Sequence, residues 1–376
     1  MQTDGTDVII VGAGVIGCAI AYLLSKEGMK VVIVDKDSLG DHASGTAPGL
    51  LSRFSLAREG VIPSLARKSF QMHKELYQQL KEESELDYYF RETASMRLAF
   101  TEEEAAELRL RVDLGQKKGF KRLRWLDKDD VHNLESRVST EVLGAAYQEG
   151  ADIESYRFVL ALVQAAEKKG AEIRSGQVVG LARNGTRATA VRLSSRDISA
   201  EHIVLAMGPW TGTACSWLGI QVPVRPLRGQ AQWVRMPGSP FVYGMSRSGN
   251  YLLITTKRDS LTYLGSTHEE AGFDDQPTEE GIDYILRGAL TMVPSLVEVE
   301  LVRRTACLRP LSADGLPIIG KVPGWGNVYL ATGHGTEGVL LSLITARIIT
   351  DLIVKGNTSI PIEPFAPGRF FSRPHA

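Results

Sequence analysis

Glycines at 12, 14 and 17, an aspartate at 35, an arginine at 309 and a second glycine-rich turn at 333–338 are the residues of this 376-residue chain whose types and spacing suit chemistry. Gly12-Ala13-Gly14-Val15-Ile16-Gly17 follows the apolar run Asp7-Val-Ile-Ile-Val11 and opens a helical pattern. In such a turn Gly12 makes the tight bend, Gly14 lets a pyrophosphate approach the backbone, and Gly17 lets helix and strand pack closely. The anion rests on the helix N-terminus. Asp35 stands 23 residues after Gly12, at the end of the next apolar run, where its carboxylate can accept from both ribose hydroxyls. The pattern points to an adenine dinucleotide and does not by itself separate FAD from NAD.

Gly333-His334-Gly335-Thr336-Glu337-Gly338 repeats the spacing after another strand-like run. No strand ending in an acid follows it, so a second dinucleotide fold cannot be completed. A positive helix end held near an electron-rich ring, such as the pyrimidine edge of a flavin, suits this turn, and an ordinary strand-to-helix turn is the plainer alternative. Arg309 lies in a mostly apolar segment, Cys307 to Gly320, so its cation needs an anionic partner. That partner is either a substrate carboxylate or a protein acid. Tyr251, at the start of a strand, reads from its setting as a half-buried core tyrosine, and His334 as a base or a packing residue. No grouping of His, Cys and acids has metal-ligand spacing, and no metal is expected.

The elements that must position these residues begin with a βαβ unit over residues 7–35, its helix stopping at Gly28. Thr101-Glu-Glu-Glu104 is a capping box for a charged helix, and a further helix is expected from about Ser155 to Lys169. Strand-like segments between Glu172 and Leu193 are expected to resume the first sheet, which closes with Ile203–Ala206. Residues 223–302 alternate strands with one helix near Glu279 to Met292, and Val328–Ala331 leads into a last helix. The expected fold class is α/β (α+β). A Rossmann-like nucleotide-binding domain from residues 1–85, 141–222 and 303–376 is interleaved with a mixed or antiparallel sheet domain from 86–140 and 223–302.

With 43 Lys+Arg against 44 Asp+Glu the chain carries a net charge of -1, which argues against nucleic acid or an anionic membrane surface as partner. Cys18, Cys215 and Cys307 are widely spaced, so neither a disulfide framework nor a structural zinc is expected. The start lacks a secretory signal pattern, and the apolar run 339–354 carries Arg347 and Asp351, so a cytoplasmic protein without a transmembrane segment is expected.

Together these stretches resemble the FAD-dependent glycine/D-amino-acid oxidase family, most like glycine oxidase and the flavoprotein subunit of hydrogen cyanide synthase. The resemblance spans nearly the whole chain. It rests on Val8–Gly17, Ser44–Leu51, Val204–Trp210, Pro226-Leu-Arg-Gly-Gln230, Leu308–Pro310 with Asp314–Gly320, and Ala331–Gly338. It implies a nucleotide domain of the glutathione-reductase type. It also implies FAD contacts from Val15, Ile16, Asp35, Lys36, Ala43, Ser44 and the Pro48-Gly49-Leu50 turn. Val178 would cover the adenine side, Met207 and Gly208 the phosphate-side loop, and His334, Gly335, Thr336, Glu337, Gly338, Val339 and Leu340 the flavin ring. Arg309 matches the arginine that pairs with a substrate carboxylate, and Tyr251 the tyrosine that helps hold it.

Two departures bear on the chemistry. Thr336 stands where glycine oxidase and the cyanide synthase subunit carry an arginine near the active site, which opens the pocket to an amine other than glycine. Cys307 occupies the position of the cysteine that holds flavin covalently in monomeric sarcosine oxidase, yet the Leu-Arg-Pro after it follows the non-covalent relatives, so non-covalent FAD is expected.

The resemblance implies oxidation of the CH–NH bond of a small amino acid or secondary amine to an imine by hydride transfer to flavin N5, with O2 as acceptor giving H2O2. Two alternatives stay open: a dehydrogenase subunit passing electrons to a partner protein or quinone, and a non-catalytic FAD-binding assembly protein; the assembly expected is a homo-oligomer or a hetero-oligomeric dehydrogenase complex.

Overall fold

A computed structural model of the chain describes residues 5–51, 60–248 and 252–371. Strand β1 (Val8–Val11) runs into α1 (Val15–Lys26) and returns as β2 (Val31–Asp35). There follow α2 (Ala43–Thr46), β3 (Leu50–Leu51), α3 (Val61–Ser84), β4 (Arg91–Ala99), α4 (Glu102–Lys117), β5 (Arg124–Asp127), α5 (Lys128–Leu134), β6 (Gly144–Asp152) and α6 (Ser155–Glu167). The middle holds β7 (Glu172–Ser175), β8 (Val178–Asn184), β9 (Arg187–Leu193), β10 (Asp197–Ser199), β11 (His202–Leu205) and α7 (Cys215–Leu218). The rest comprises β12 (Val224–Arg235), β13 (Gly244–Arg247), β14 (Leu253–Thr256), β15 (Leu261–Gly265), α8 (Glu279–Met292), β16 (Glu300–Ser312), β17 (Ile318–Lys321), β18 (Val328–Thr332) and α9 (Gly338–Val354).

One sheet has the order β17-β18-β11-β1-β2-β7 and is parallel except for β17. Val8, Ile9 and Ile10 are wholly buried, as a strand covered on both faces requires. On one side α1, α6 and α9 pack through Ile20, Leu24, Phe158, Leu162 and Ile344. The other side is covered by the three-stranded sheet β10-β9-β8.

That last feature corrects the expectation that residues 172–193 all resume the first sheet: only β7 joins it. Strands β8 and β9 turn at Gly185, whose positive φ of 57° suits a tight reversal, and pair antiparallel with each other. A register shift between Ala182 and Arg183 interrupts their alternation and brings Leu181, Ala188 and Val191 together into the core with Val32, Val34 and Leu205 of the parallel sheet.

The second, nine-stranded sheet has the order β16-β12-β15-β14-β13-β4-β6-β3, with β5 also on β6. Its pairing is antiparallel except where β13 runs parallel to β4. Residues 144–152 and 303–312, grouped by sequence with the nucleotide-binding segments, hydrogen-bond in this second sheet within β6 and β16. Strand pairing between distant segments decides sheet membership, and periodicity cannot register it.

The expected helices at 155 and 279 form as read. The Thr101 hydroxyl caps α4 by accepting from Glu104 N at 3.2 Å, while the Glu104 carboxylate reaches back to Phe100 N, one residue before the cap. The 24-residue α3 lies outside the expected elements; it buries Leu65, Phe70, His73 and Leu80 against the α1/α9 layer. Among the described residues no helix is long and apolar enough to cross a membrane.

Candidate active site

A continuous cavity of about 550 Å³ runs from the C-terminal ends of β1 and β2 to the face of the nine-stranded sheet. It lies where ligands bind in open parallel sheets, beyond the carboxyl ends of the strands, and its volume falls in the usual range for ligand sites.

At the first end, Gly12 has a φ of 114°, and a β-carbon there would lie 2.3 Å from the Ala206 carbonyl oxygen at the end of β11. A β-carbon on Gly17 would lie 1.9 Å from the Gly12 carbonyl oxygen, so α1 can approach β1 only because position 17 is bare. One on Gly14 would meet only the Ser44 hydroxyl, at 3.2 Å, and would otherwise fill the cavity. The turn is therefore a cradle that side chains would occlude.

Asp35 Oδ2 accepts from Ala13 N at 2.5 Å and Oδ1 from Asp37 N at 3.0 Å. Val15 N donates to Ser44 Oγ at 2.9 Å. Beside them, the Lys36 ammonium sits 4.9 Å from the Trp210 ring, and the His42 ring 4.4 Å from it. Cys18, behind the turn, donates its thiol to the Ala13 carbonyl, and burial, with Asp35 second, pushes its pKa up, so it stays a neutral packing group.

Gly12, Ala13, Gly14, Val15, Ile16, Asp35, Lys36, Ala43, Ser44, Pro48, Val178, Met207 and Gly208 all line the cavity. Five residues named from the sequence stand behind the lining instead. Gly17 is the helix contact just described. Gly49, at φ 74°, crosses so close to Ile153 that a β-carbon would lie 2.0 Å from that carbonyl oxygen. Leu50 pairs with Asp152 in β3, and Glu337 is the N-cap of α9. Leu340 is buried, and its carbonyl accepts from Ser69 Oγ at 2.5 Å and from His73 Nε2 at 3.2 Å.

In the middle of the cavity the turn before α9 contributes His334, Gly335, Thr336, Gly338 and Val339, so the positive end of a 17-residue helix opens on it. His334 is buried, with Nε2 3.0 Å from Thr345 Oγ1, and burial holds its pKa down to about 3. It is a neutral hydrogen-bonding residue, the packing alternative for this histidine.

The far end is the cavity face of the nine-stranded sheet. Strand alternation lines up Thr305, Cys307 and Arg309 on β16, Gly229 and Ala231 on β12, Tyr263 and Gly265 on β15, and Leu253 on β14. Arg309 donates through Nη1 to the Thr267 carbonyl at 3.0 Å and through Nη2 to Ser266 Oγ at 2.7 Å. Among the described residues no carboxylate pairs with it. Arg228, by contrast, is buried against Glu269 at 2.6 Å and Asp274 at 2.7 Å. Of the two partners open to Arg309 on sequence grounds, the protein acid is not there among the described residues.

Tyr263 lies over Gly265, and burial, partly offset by Arg309, pushes its pKa up to about 12. His268, also in the lining, is held down to about 4, by burial first and the Arg309 cation second. Tyr263, Ser266 and His268 carry no signal in the sequence, because only the β12–β15–β16 pairing brings them to Arg309. Cys307 is half-buried and faces the cavity. Tyr251 lies outside the described residues. No group of three or more His, Cys, Asp or Glu side chains among the described residues is arranged to hold a metal ion.

A family model described as FAD dependent oxidoreductase matches residues 7–352. Glycine oxidase from Geobacillus kaustophilus is 30% identical over 377 residues, covering 99% of both chains. The hydrogen cyanide synthase subunit HcnC of Pseudomonas aeruginosa is 27% identical, covering 98% of this chain and 97% of that protein. The crystal structure of the Geobacillus glycine oxidase superposes with a TM-score of 0.92, covering 97% of this chain and 99% of that one at 28% identity.

Proposed function

Because the chain belongs to the family of FAD-dependent oxidoreductases, we propose that it oxidises the CH–NH bond of a small carboxylated amine, an amino acid or secondary amine of the glycine, sarcosine or D-amino-acid type. The observation that carries this reading is the Arg309 guanidinium, set in the same cavity as the glycine cradle with no carboxylate of the described chain to neutralise it.

The residues fit FAD: the bare Gly14, the Asp35 carboxylate and the α9 turn are three stations along one cavity, matching the pyrophosphate, ribose and ring of such a group. Bound FAD supplies the two-electron acceptor that no side chain here can provide. Arg309 takes the substrate carboxylate in its fork, with Ser266 and Thr267 fixing the plane of the guanidinium. That fixes the amine-bearing carbon relative to α9 and converts binding into positioning.

Burial leaves His268 and His334 only weakly basic and keeps Tyr263 protonated, and no carboxylate lines this end among the described residues. The substrate amine therefore sheds its proton to water on entry rather than to a side-chain base. Loss of the Cα hydrogen with two electrons leaves an imine, which water hydrolyses. Thr336 lines the middle of the cavity and, being short and uncharged, leaves room for a substituent on the amine or on Cα.

Anaerobic titration of the flavin absorbance with glycine, sarcosine, D-amino acids, prolines and iminodiacids tests the reading. Bleaching by one class identifies the substrate, and a flavin that no carboxylated amine bleaches overturns it. Readmitted air decides the acceptor. Rapid recolouring with H2O2 marks an oxidase. A second reading, a dehydrogenase passing electrons to a partner, takes its motive from the likeness to a protein named as one subunit of hydrogen cyanide synthase, and for it slow recolouring is expected.

A further inference from the structure

Gly229 lies on β12 opposite Cys307, one diagonal step from Arg309. A β-carbon built there would lie 2.0 Å from Arg309 Nη2, 2.2 Å from Cζ and 2.2 Å from Nη1. All three nearest atoms belong to the guanidinium, so the planar head of Arg309 reclines on the bare backbone of Gly229. Gly229 has no positive φ, and no turn asks for glycine here. The residue that its missing side chain accommodates is the arginine.

The same short stretch of β12 also holds the edge of the fork. Arg228 exchanges backbone hydrogen bonds with Glu269 at 2.9 and 3.0 Å, and Gln230 N donates to Thr267 Oγ1 at 2.9 Å. These bonds clip residues 266–269 alongside Gly229. They thereby fix the Ser266 hydroxyl and the Thr267 carbonyl, the two acceptors of Arg309. The side chains of Arg228 and Gln230 turn to Glu269 and leave the cavity face to Gly229 alone. An arginine has five N–H donors, and with its plane and one edge fixed the remaining ones face the cavity in a set direction.

We propose that Gly229 is a positioning residue for substrate: it sets the height and plane of the Arg309 fork, and so the depth at which a carboxylate is held in the cavity. This rests on the carboxylate-anchor reading of Arg309. A methyl at 229 would strike only the movable end of a side chain rather than backbone, so the chain can fold around it, and what yields is the fork.

The test is acetate binding to the flavin-loaded protein, followed by perturbation of the flavin absorbance, in wild type, Gly229→Ala, Arg309→Lys and the double variant. Gly229→Ala is expected to raise the acetate dissociation constant at least tenfold with flavin content unchanged, the scale of one misaligned charged hydrogen bond. With the best amine substrate, KM rises by a similar factor while kcat moves less. In the Arg309→Lys background, where no planar fork lies on position 229, the same substitution changes acetate binding less than twofold.

A Gly229→Ala protein that binds acetate within twofold of wild type, or that loses as much in the lysine background, overturns the proposal. Should Gly229→Ala yield no flavin-loaded protein, Ser266→Ala asks the same of the fork's edge: a threefold or larger rise in the dissociation constant supports the proposal and an unchanged one overturns it. A wild-type protein that does not bind acetate, or an Arg309→Lys protein that binds it undiminished, removes the anchor reading itself, and this inference falls with it.

Discussion

Asp35 and Ala13 are joined by a 2.5 Å hydrogen bond from the backbone N–H of the glycine turn to the carboxylate that ends β2. The bond ties the two halves of the nucleotide cradle before any ligand enters, and it leaves each carboxylate oxygen with a lone pair for a ribose hydroxyl.

Asp35→Ala is expected to weaken FAD retention by roughly ten- to a hundredfold, since a charged acceptor for both backbone and ligand is lost. Flavin content after ultrafiltration and the dissociation constant on reconstitution check this. Asp35→Asn, which keeps the shape but loses the charge, should fall between.

Arg309→Ala removes the proposed anchor and is expected to raise KM for carboxylated amines by at least a hundredfold, the usual cost of deleting one partner of a desolvated charge pair. Flavin content should stay at wild-type level, because the cradle is at the other end of the cavity. Steady-state kinetics on the bleaching substrate read the effect, and unchanged turnover would remove Arg309 from the site.

Two fully buried histidines predict acid sensitivity. His73 bridges the Val339 and Leu340 carbonyls, and burial lowers its pKa to about 4; His334 is lowered to about 3. Both folded values lie below the ordinary value near 6.5, so between that pH and the folded pKa the unfolded chain binds more protons and stability falls as pH falls. Each group contributes a slope of at most about 1.4 kcal/mol per pH unit. Melting temperatures from pH 7 to 5 should drop more steeply for wild type than for His73→Gln, whose side chain still offers a donor to the same carbonyls. Parallel slopes would remove His73 from the acid sensitivity and leave it to His334 and other groups.

Cys307 lines the cavity as a free thiol. Acid precipitation is expected to release all the flavin into the supernatant, and Cys307→Ser to keep wild-type flavin content. Yellow colour left in the pellet of wild type, and absent from the serine variant, would show a thioether.

The cradle was legible because its parts are neighbours in sequence: Gly12, Gly14 and Gly17 share one turn, and Asp35 ends the adjacent strand. Arg309 was visible as a cation in apolar surroundings, but its partners were not, since Ser266 and Thr267 reach it only through strand pairing across more than 40 residues. Gly229 stands in the sequence only as one letter of a family motif, for a glycine signals a turn or a close approach and the sequence does not say approach to what. The separate β8–β10 sheet escaped for the same reason that β6 and β16 did: hydrophobic alternation marks a strand and not its neighbour.

The position of β18 between β11 and β17 has a consequence for the order in which the molecule can be made. The parallel sheet is built from residues near 8, 31, 172, 202, 318 and 328, and α9, which supplies one wall of the cavity, follows the last of them. During synthesis the glycine cradle emerges early, yet the wall opposite it arrives some three hundred residues later. A ribosome-bound chain halted before residue 318 would thus present an unpaired β11 edge and an apolar α1 face to the surrounding solution, surfaces on which chaperones act.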